Sequence, residues 1–418
     1  MRLRTVAVAA LLLLLAGCSH RERDNPFDPG NPTTGGRPPG FRAVADINKA
    51  TLRWDFVFSS ALTGYELFRK GPGDADFLPV GGVIAPDSTS FVDAGLTNDS
   101  TYAYRLRFVL EDGRRGPFAE ALARPGVGIV WVADAAPGLV VRVAPDGRAR
   151  VFELPGLETP GFVSADPALN RVWSSSRDQG VVAVWNASGT LVDVEGTFGA
   201  PGDVAPIPGT PAAWVADERT GSIERFDAGV GLTASAGPFL LPSDVLAEPG
   251  GSAWVIDRNG RRLVHVTGTG VVNFDLDLPD RPWRLALDPV TADLWISYTD
   301  AGAVECRTSS GALRFRVSGL ASPYTLAPDI ARGRMWVALA GGDAVVAFDR
   351  TGASAGRIGG IPRPRGLTAD PRNGEIWVTA LGNGDGDGSL WHFDAAGGLI
   401  STLAPFGRPF AVDLDPTP

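Results

Sequence analysis

The sequence predicts an all-β chain, a β-sandwich followed by a seven-bladed β-propeller that the C-terminal strand closes. Three observations predict it. Tryptophans recur at Trp131, Trp173, Trp214, Trp254, Trp295, Trp336 and Trp377, at intervals of 40 to 42 residues. Seven apolar runs open on a proline, at Pro160, Pro201, Pro242, Pro282, Pro323, Pro364 and Pro409. A period in the forties with four short strands per unit is the mark of a propeller. Finally, the repeat is split: Trp131 has no proline run ahead of it, and the Pro409 run has no tryptophan after it. The last strand is therefore expected to enter the sheet that Trp131 begins, which leaves no open edge. An open solenoid would instead need polar caps at both ends.

In chain order, residues 1–17 read as a targeting segment. Arg2 and Arg4 precede an apolar core too short to cross a bilayer, and Leu15-Ala-Gly-Cys18 ends it. This ending resembles the bacterial lipoprotein signal. The resemblance implies that Cys18 becomes a lipidated N-terminus and that the protein is anchored, outside the cytoplasm, to a membrane of the bacterial cell envelope. Ser19, where an aspartate would signal inner-membrane retention, favours the outer membrane. With Cys18 lipidated, Cys306 is the remaining cysteine and no intramolecular disulfide can form. Stability must come from burial. The net charge of −9 without a basic run excludes nucleic acid as a partner.

Residues 18–40 are rich in Pro, Gly and charge and predict a disordered tether. Phe27, an apolar residue within it, is read as incidental. Residues 41–124 alternate apolar and polar residues in short runs bounded by turn signals, the pattern of a β-sandwich. Trp54, Tyr65 and Leu96, six positions before Tyr102, resemble the fibronectin type III pattern. The resemblance implies a corner tyrosine at Tyr102, with its ring in the core and its hydroxyl on nearby backbone. Asn98 stands where that family often has proline. The resemblance further implies a spacer.

Residues 127–418 are the propeller. One tryptophan per blade at one register predicts packing between neighbouring sheets rather than a ligand platform. The pattern Pro-x-x-Leu/Val-x-x-Asp-Pro, a gap, then Trp-Val-x-Asp resembles NHL-repeat propellers and the virginiamycin B lyase (streptogramin lyase) family. For the lyases the resemblance implies a histidine base and a carboxylate-held metal near the axis. The residues depart from that. His265, His392 and Cys306 share one position on the third strands, away from the axis, and His20 lies in the tether. No catalytic residue is assigned on this basis.

A ligand is expected where the loops leading into the first strands meet those that follow the tryptophan strands. Phe162, Asp203, Asp244, Trp283, Arg284, Tyr324, Arg365 and Phe410 occupy nearly equivalent positions there and should ring one channel mouth. Aromatic rings suit stacking, and Arg284, Arg365 and Arg408 suit carboxylates. Asp203 and Asp244, on neighbouring blades, are placed to share a cation. The aspartates that end the tryptophan strands, Asp217 and Asp257 among them, read as turn residues. Glycine-rich residues 382–388 carry Asn383, Asp385 and Asp387 at calcium-loop spacing, with Asp394 at the final position. Beyond Ca²⁺ there, no cofactor is expected. The function expected is that of a binding or interaction lipoprotein whose partner is a protein or a glycan. The alternatives are a metal-dependent lyase or hydrolase, or a structural part of an envelope complex.

Overall fold

The computed structural model describes residues 25–416. The signal segment, Cys18 and His20 lie outside the described residues. The chain divides into two compact units, Met1–Pro125 and Gly126–Pro418.

In the first unit, strands Arg42–Asp46, Lys49–Arg53 and Ser90–Ala94 form one antiparallel sheet. Leu78–Pro79, Leu62–Lys70, Tyr102–Leu110 and Ala119–Ala123 form a second. Their apolar faces meet in one core that holds Trp54, Tyr65, Leu96, Tyr102 and Phe108. The Tyr102 hydroxyl accepts a hydrogen bond from the Thr97 amide at 3.0 Å, as a corner tyrosine should. A polar tie crosses the sandwich. Asp93, on the first sheet, accepts from the Tyr104 hydroxyl at 2.8 Å and from Arg69 Nη1 at 2.9 Å, both on the second. The tether expectation fails over residues 25–40. They form hydrogen-bonded turns, in which the Asn31 side chain accepts the Thr33 and Thr34 amides. Phe27 is not incidental: its ring meets Phe108 edge-on at 4.9 Å. Local side-chain-to-backbone bonds and one half-buried aromatic order a segment whose composition alone would leave it loose.

The second unit is built of four-stranded antiparallel sheets, seven among the described residues. Sheet 1 combines Pro409–Asp415, from the end of the chain, with Ile129–Asp134, Leu139–Val143 and Arg150–Leu154. Sheets 2 to 7 run in chain order through 160–195, 201–236, 242–277, 284–318, 323–359 and 364–406. Second strands are buried almost throughout and third strands are buried or half-buried, while fourth strands alternate between covered and exposed residues. Strands covered on both faces read as continuous apolar runs, and strands at the rim alternate.

Each tryptophan packs on the next sheet, as its register predicts. Trp131 meets Val163 and Val172 of sheet 2, and Trp173 meets the Phe226 ring of sheet 3 at 5.6 Å. Trp336 packs with Ile376 and Val378 of sheet 7. Trp377, on sheet 7, packs with Val130 and Val141 of sheet 1. First strands of successive sheets lie side by side, and Pro409–Asp415 neighbours both Pro160–Asp166 and Pro364–Ala369.

Candidate functional site

Neighbouring first strands run side by side without pairing in one ladder. Their inward amides therefore need other partners. Carboxylates supply several. Asp203 accepts the Val245 amide of the next sheet at 3.1 Å, and Asp244 accepts that of Leu285. Asp413 accepts the Ala165 amide at 2.9 Å, its own neighbour Leu414 N at 2.9 Å and the Thr368 hydroxyl at 3.3 Å.

These strands surround a cavity of about 430 Å³, a size suited to a small ligand. Phe162, Asp203, Asp244 and Arg284 line it from one register, two residues after each opening proline, with Thr325 and Gly366 at the same register. Tyr324 and Phe410 line it from one residue earlier, and Asp413 lies deeper along its strand. Six of the eight residues singled out in the sequence thus share one cavity.

Arg284 reaches across it. Its Nη1 donates to Asp244 Oδ1 at 2.9 Å and to the Ser243 carbonyl at 3.2 Å. Its guanidinium lies 4.4 Å from the centre of the Phe162 ring, which belongs to sheet 2. Asp244 is 5 % exposed. Burial pushes it well above the usual carboxylate range, and the Asp203 carboxyl adds to this against Arg284. Burial alone would lower Arg284; Asp244 outweighs it and holds the guanidinium charged. Where a cation is expected between Asp203 and Asp244, the structure places the Arg284 guanidinium against Asp244.

Trp283 and Arg365 stand just outside the cavity. Arg365 lies over the Tyr324 ring at 4.4 Å, Tyr324 contacts Trp283 at 5.2 Å, and Arg258 lies over Trp283 at 3.5 Å. The rings serve as platforms for guanidinium groups. A smaller chamber of about 250 Å³ adjoins them, sharing Phe162, Arg284 and Tyr324 with the main cavity.

Two residues of the site were missed from the sequence. Asp413 lies in the run that Pro409 opens, and its signal is visible: the matching positions are Ser164, Ala205, Leu246, Ala286, Ala327 and Thr368. A lone carboxylate at that register breaks the repeat. Burial pushes its carboxyl up to about 6. Arg258 has a weaker signal, because its loop reads as a turn.

Other candidates lie elsewhere. His392 stacks on Trp377 at 3.6 Å and His265 meets Trp254 in a tilted contact at 4.6 Å, and their Nε2 atoms bond Glu375 and Glu248, each at 2.9 Å. They are packing residues at one repeat position. Asp217 accepts the Gly199 and Ala200 amides, and Asp257 those of Leu240 and Leu241. These aspartates latch the loop that leads into the first strand of their own sheet, which is more than the local turn role expected. Asn383, Asp385 and Asp387 are exposed, and Asp394 is bound to its own turn through Ala396 N and Gly398 N. Among the described residues, no three His, Cys, Asp or Glu side chains converge as a metal would require. The residues around the channel do not fit the histidine-and-carboxylate metal centre that the lyase resemblance implies.

No family model matches the chain, and no curated protein matches it. Solved structures do. A structure described as streptogramin B lyase aligns with TM-score 0.53 at 18% identity, over 60% of this chain and 86% of its own. A functionally unknown protein from Desulfotomaculum acetoxidans aligns with TM-score 0.58 at 11% identity, over 69% and 99%. Dihydro-heme d1 dehydrogenase NirN aligns with TM-score 0.50 at 13% identity, over 69% and 75%. At these identities the likeness shows the fold alone, an all-β propeller-type architecture of repeated sheets.

Proposed function

We propose that residues 127–416 form a closed seven-bladed propeller that acts as a non-catalytic binding module. It is carried behind a fibronectin type III-like spacer on a lipid-anchored protein of the bacterial cell envelope, most consistent with the outer membrane. Pairing of Pro409–Asp415 with Ile129–Asp134, and the seating of Trp377 on sheet 1, support the closed ring. The observation that carries the binding reading is the convergence of Phe162, Asp203, Asp244, Arg284, Tyr324 and Phe410 on one cavity. Its aromatic walls and fixed charges suit a small polar ligand or a side chain of a protein partner.

The enzyme reading, a lyase or hydrolase, draws on Asp244, because burial holds its carboxyl well above the usual carboxylate range and a protonated carboxyl is a source of general acid. It predicts turnover that Asp244→Asn abolishes. The binding reading predicts saturation without turnover. Thermal unfolding against a panel of glycans, acidic metabolites and Ca²⁺ tests it. A ligand at a hundred times its Kd adds about 2.7 kcal/mol of stability. One compound should shift the transition, and Tyr324→Ala should abolish that shift. A flat panel, with stable co-purifying proteins instead, would move the reading to a structural role in an envelope complex.

A further inference from the structure

One end of the first unit carries apolar side chains that the fold leaves uncovered. In residues 54–61, Trp54 and Val57 are buried in the core of the sandwich. The phenylalanines on either side of Val57 are left outside. Phe56 is 54 % exposed and Phe58 92 %, the highest value among the large apolar side chains described. Val83, also exposed, lies beside Gly64, near the start of the strand that follows this loop. Single exposed apolar residues are ordinary on a protein surface. Two aromatic rings in one loop, with a third apolar group at the same end, mark a contact surface instead.

The N-terminal residues are held at that same end. The Phe27 ring packs on Phe108, the Gly36 carbonyl lies against Gly116, and the Pro39 carbonyl accepts the Asp55 amide at 2.9 Å. The Ala61 carbonyl accepts the Glu111 amide at 2.9 Å, so residues 54–61 and 111–116 form one rim with residues 25–40 packed on it. The chain leaves the sandwich at the other end, where Ala123 pairs with Tyr102, at the far end of the strand from Leu110. Asn25 stands seven positions after Cys18. An extended chain spans at most about 3.6 Å per residue, so the whole reach between them is about 25 Å. A lipid on Cys18 therefore keeps this rim close to the bilayer surface. The rim's arginines do not select a charged partner, because Arg114 is paired with Asp112 and Arg115 with Glu66.

We propose that Phe56 and Phe58, with Val83 at the same end, dock the first unit onto the lipid bilayer that holds the Cys18 anchor. The inference rests on the lipid-anchor reading of the sequence. Rings at headgroup level exchange water for acyl chain, and burying one phenylalanine shifts binding by about tenfold or more. Such a contact is weak alone. The anchor makes it intramolecular, and a short tether keeps its effective concentration high. Docking turns a tether into a fixed orientation, with this rim on the membrane and the Tyr102 end of the sandwich away from it. The spacer then positions what it carries.

The test is amide hydrogen exchange of the full-length protein, purified from bacterial membranes and reconstituted in vesicles of phosphatidylethanolamine and phosphatidylglycerol. The reference is the chain without its signal segment and with Cys18→Ser, free in solution. Exchange of residues 55–61 should slow by about tenfold on vesicles. Residues 71–77, beside Tyr102 at the other end, should not change. The double variant Phe56→Ser/Phe58→Ser should abolish the slowing and keep the wild-type thermal transition, since both side chains are exposed. The proposal is overturned if residues 55–61 exchange equally fast on vesicles, or if the double variant keeps the protection. Slowing in the lipid-free chain as its concentration rises would assign the surface to a second copy. Slowing in native envelopes but not on vesicles would assign it to a protein partner. Either result overturns the proposal. Mass spectrometry of the N-terminus tests the anchor separately: a lipidated chain with an unprotected loop loses the docking and keeps the anchor, and an unlipidated chain loses both.

Discussion

Asp413 shows how one residue can carry both structure and pH response. It staples the first strand of sheet 1 to that of sheet 2 through the Ala165 amide, and it faces the cavity with only neutral hydrogen-bond donors. Burial pushes its carboxyl from an ordinary value of 3.8 up to about 6. Between those values the unfolded chain has lost the proton that the folded chain keeps. The folded state therefore binds more protons, and Asp413 makes stability fall as pH rises from about 4 through about 6. Asp413→Asn should remove that slope. Urea unfolding at pH 4.5 and pH 7.5 should show the variant gaining on the wild type at the higher pH; a gap that does not change with pH would refute the assignment. The residue was legible in principle, because the other six positions at its register are small, apolar or hydroxylated. What the sequence did not show was that this register faces a cavity.

At the scale of strands and sheets, apolar burial sets the pattern and a few polar ties refine it. Tryptophan wedges account for the repeat, and their role was legible because one large residue recurs at one register. Charge networks were not legible. Glu305, 1 % exposed on the third strand of sheet 5, accepts from the Tyr298 hydroxyl, Arg307 Nε and Arg316 Nη1, each at 2.8 Å. Nothing in sequence spacing joins these residues across three strands. Removing one partner of a buried ion pair leaves the other uncompensated. Glu305→Ala should therefore cost about 3 kcal/mol or more in chemical unfolding. A loss below about 1 kcal/mol, the range of exposed pairs, would show that the network is solvent-screened. The same limit applies to the site. Arg258 and Trp283 meet only because two loops from sheets 4 and 5 converge.

For the whole molecule, the decisive contact is between chain ends of the second unit. The strand Pro409–Asp415 pairs with Ile129–Asp134, placing Asp413 opposite Trp131. Deleting residues 409–418 would expose the Ile129–Asp134 edge and uncover Val163 and Leu367 on either side. Such a chain should aggregate or lose cooperative unfolding of the second unit, while the first unit, with its own core, still melts. Size-exclusion chromatography and calorimetry check this. A monomeric variant with an intact high-temperature transition would argue against the closed ring.

The sequence by itself determined the all-β class, the forty-one-residue repeat, the tryptophan packing and six of the residues around the cavity. It could do so because these features recur: each is written seven times at fixed spacing, and a deviation stands out against the other copies. Only the tertiary structure decided what depends on a single convergence. It packed Phe27 against the core of the first unit, set the Arg284 guanidinium against Asp244, and brought Arg258 over the Trp283 ring. Such meetings join residues from different repeats and different loops. Their free energy comes from burial and charge in three dimensions, which periodicity does not encode.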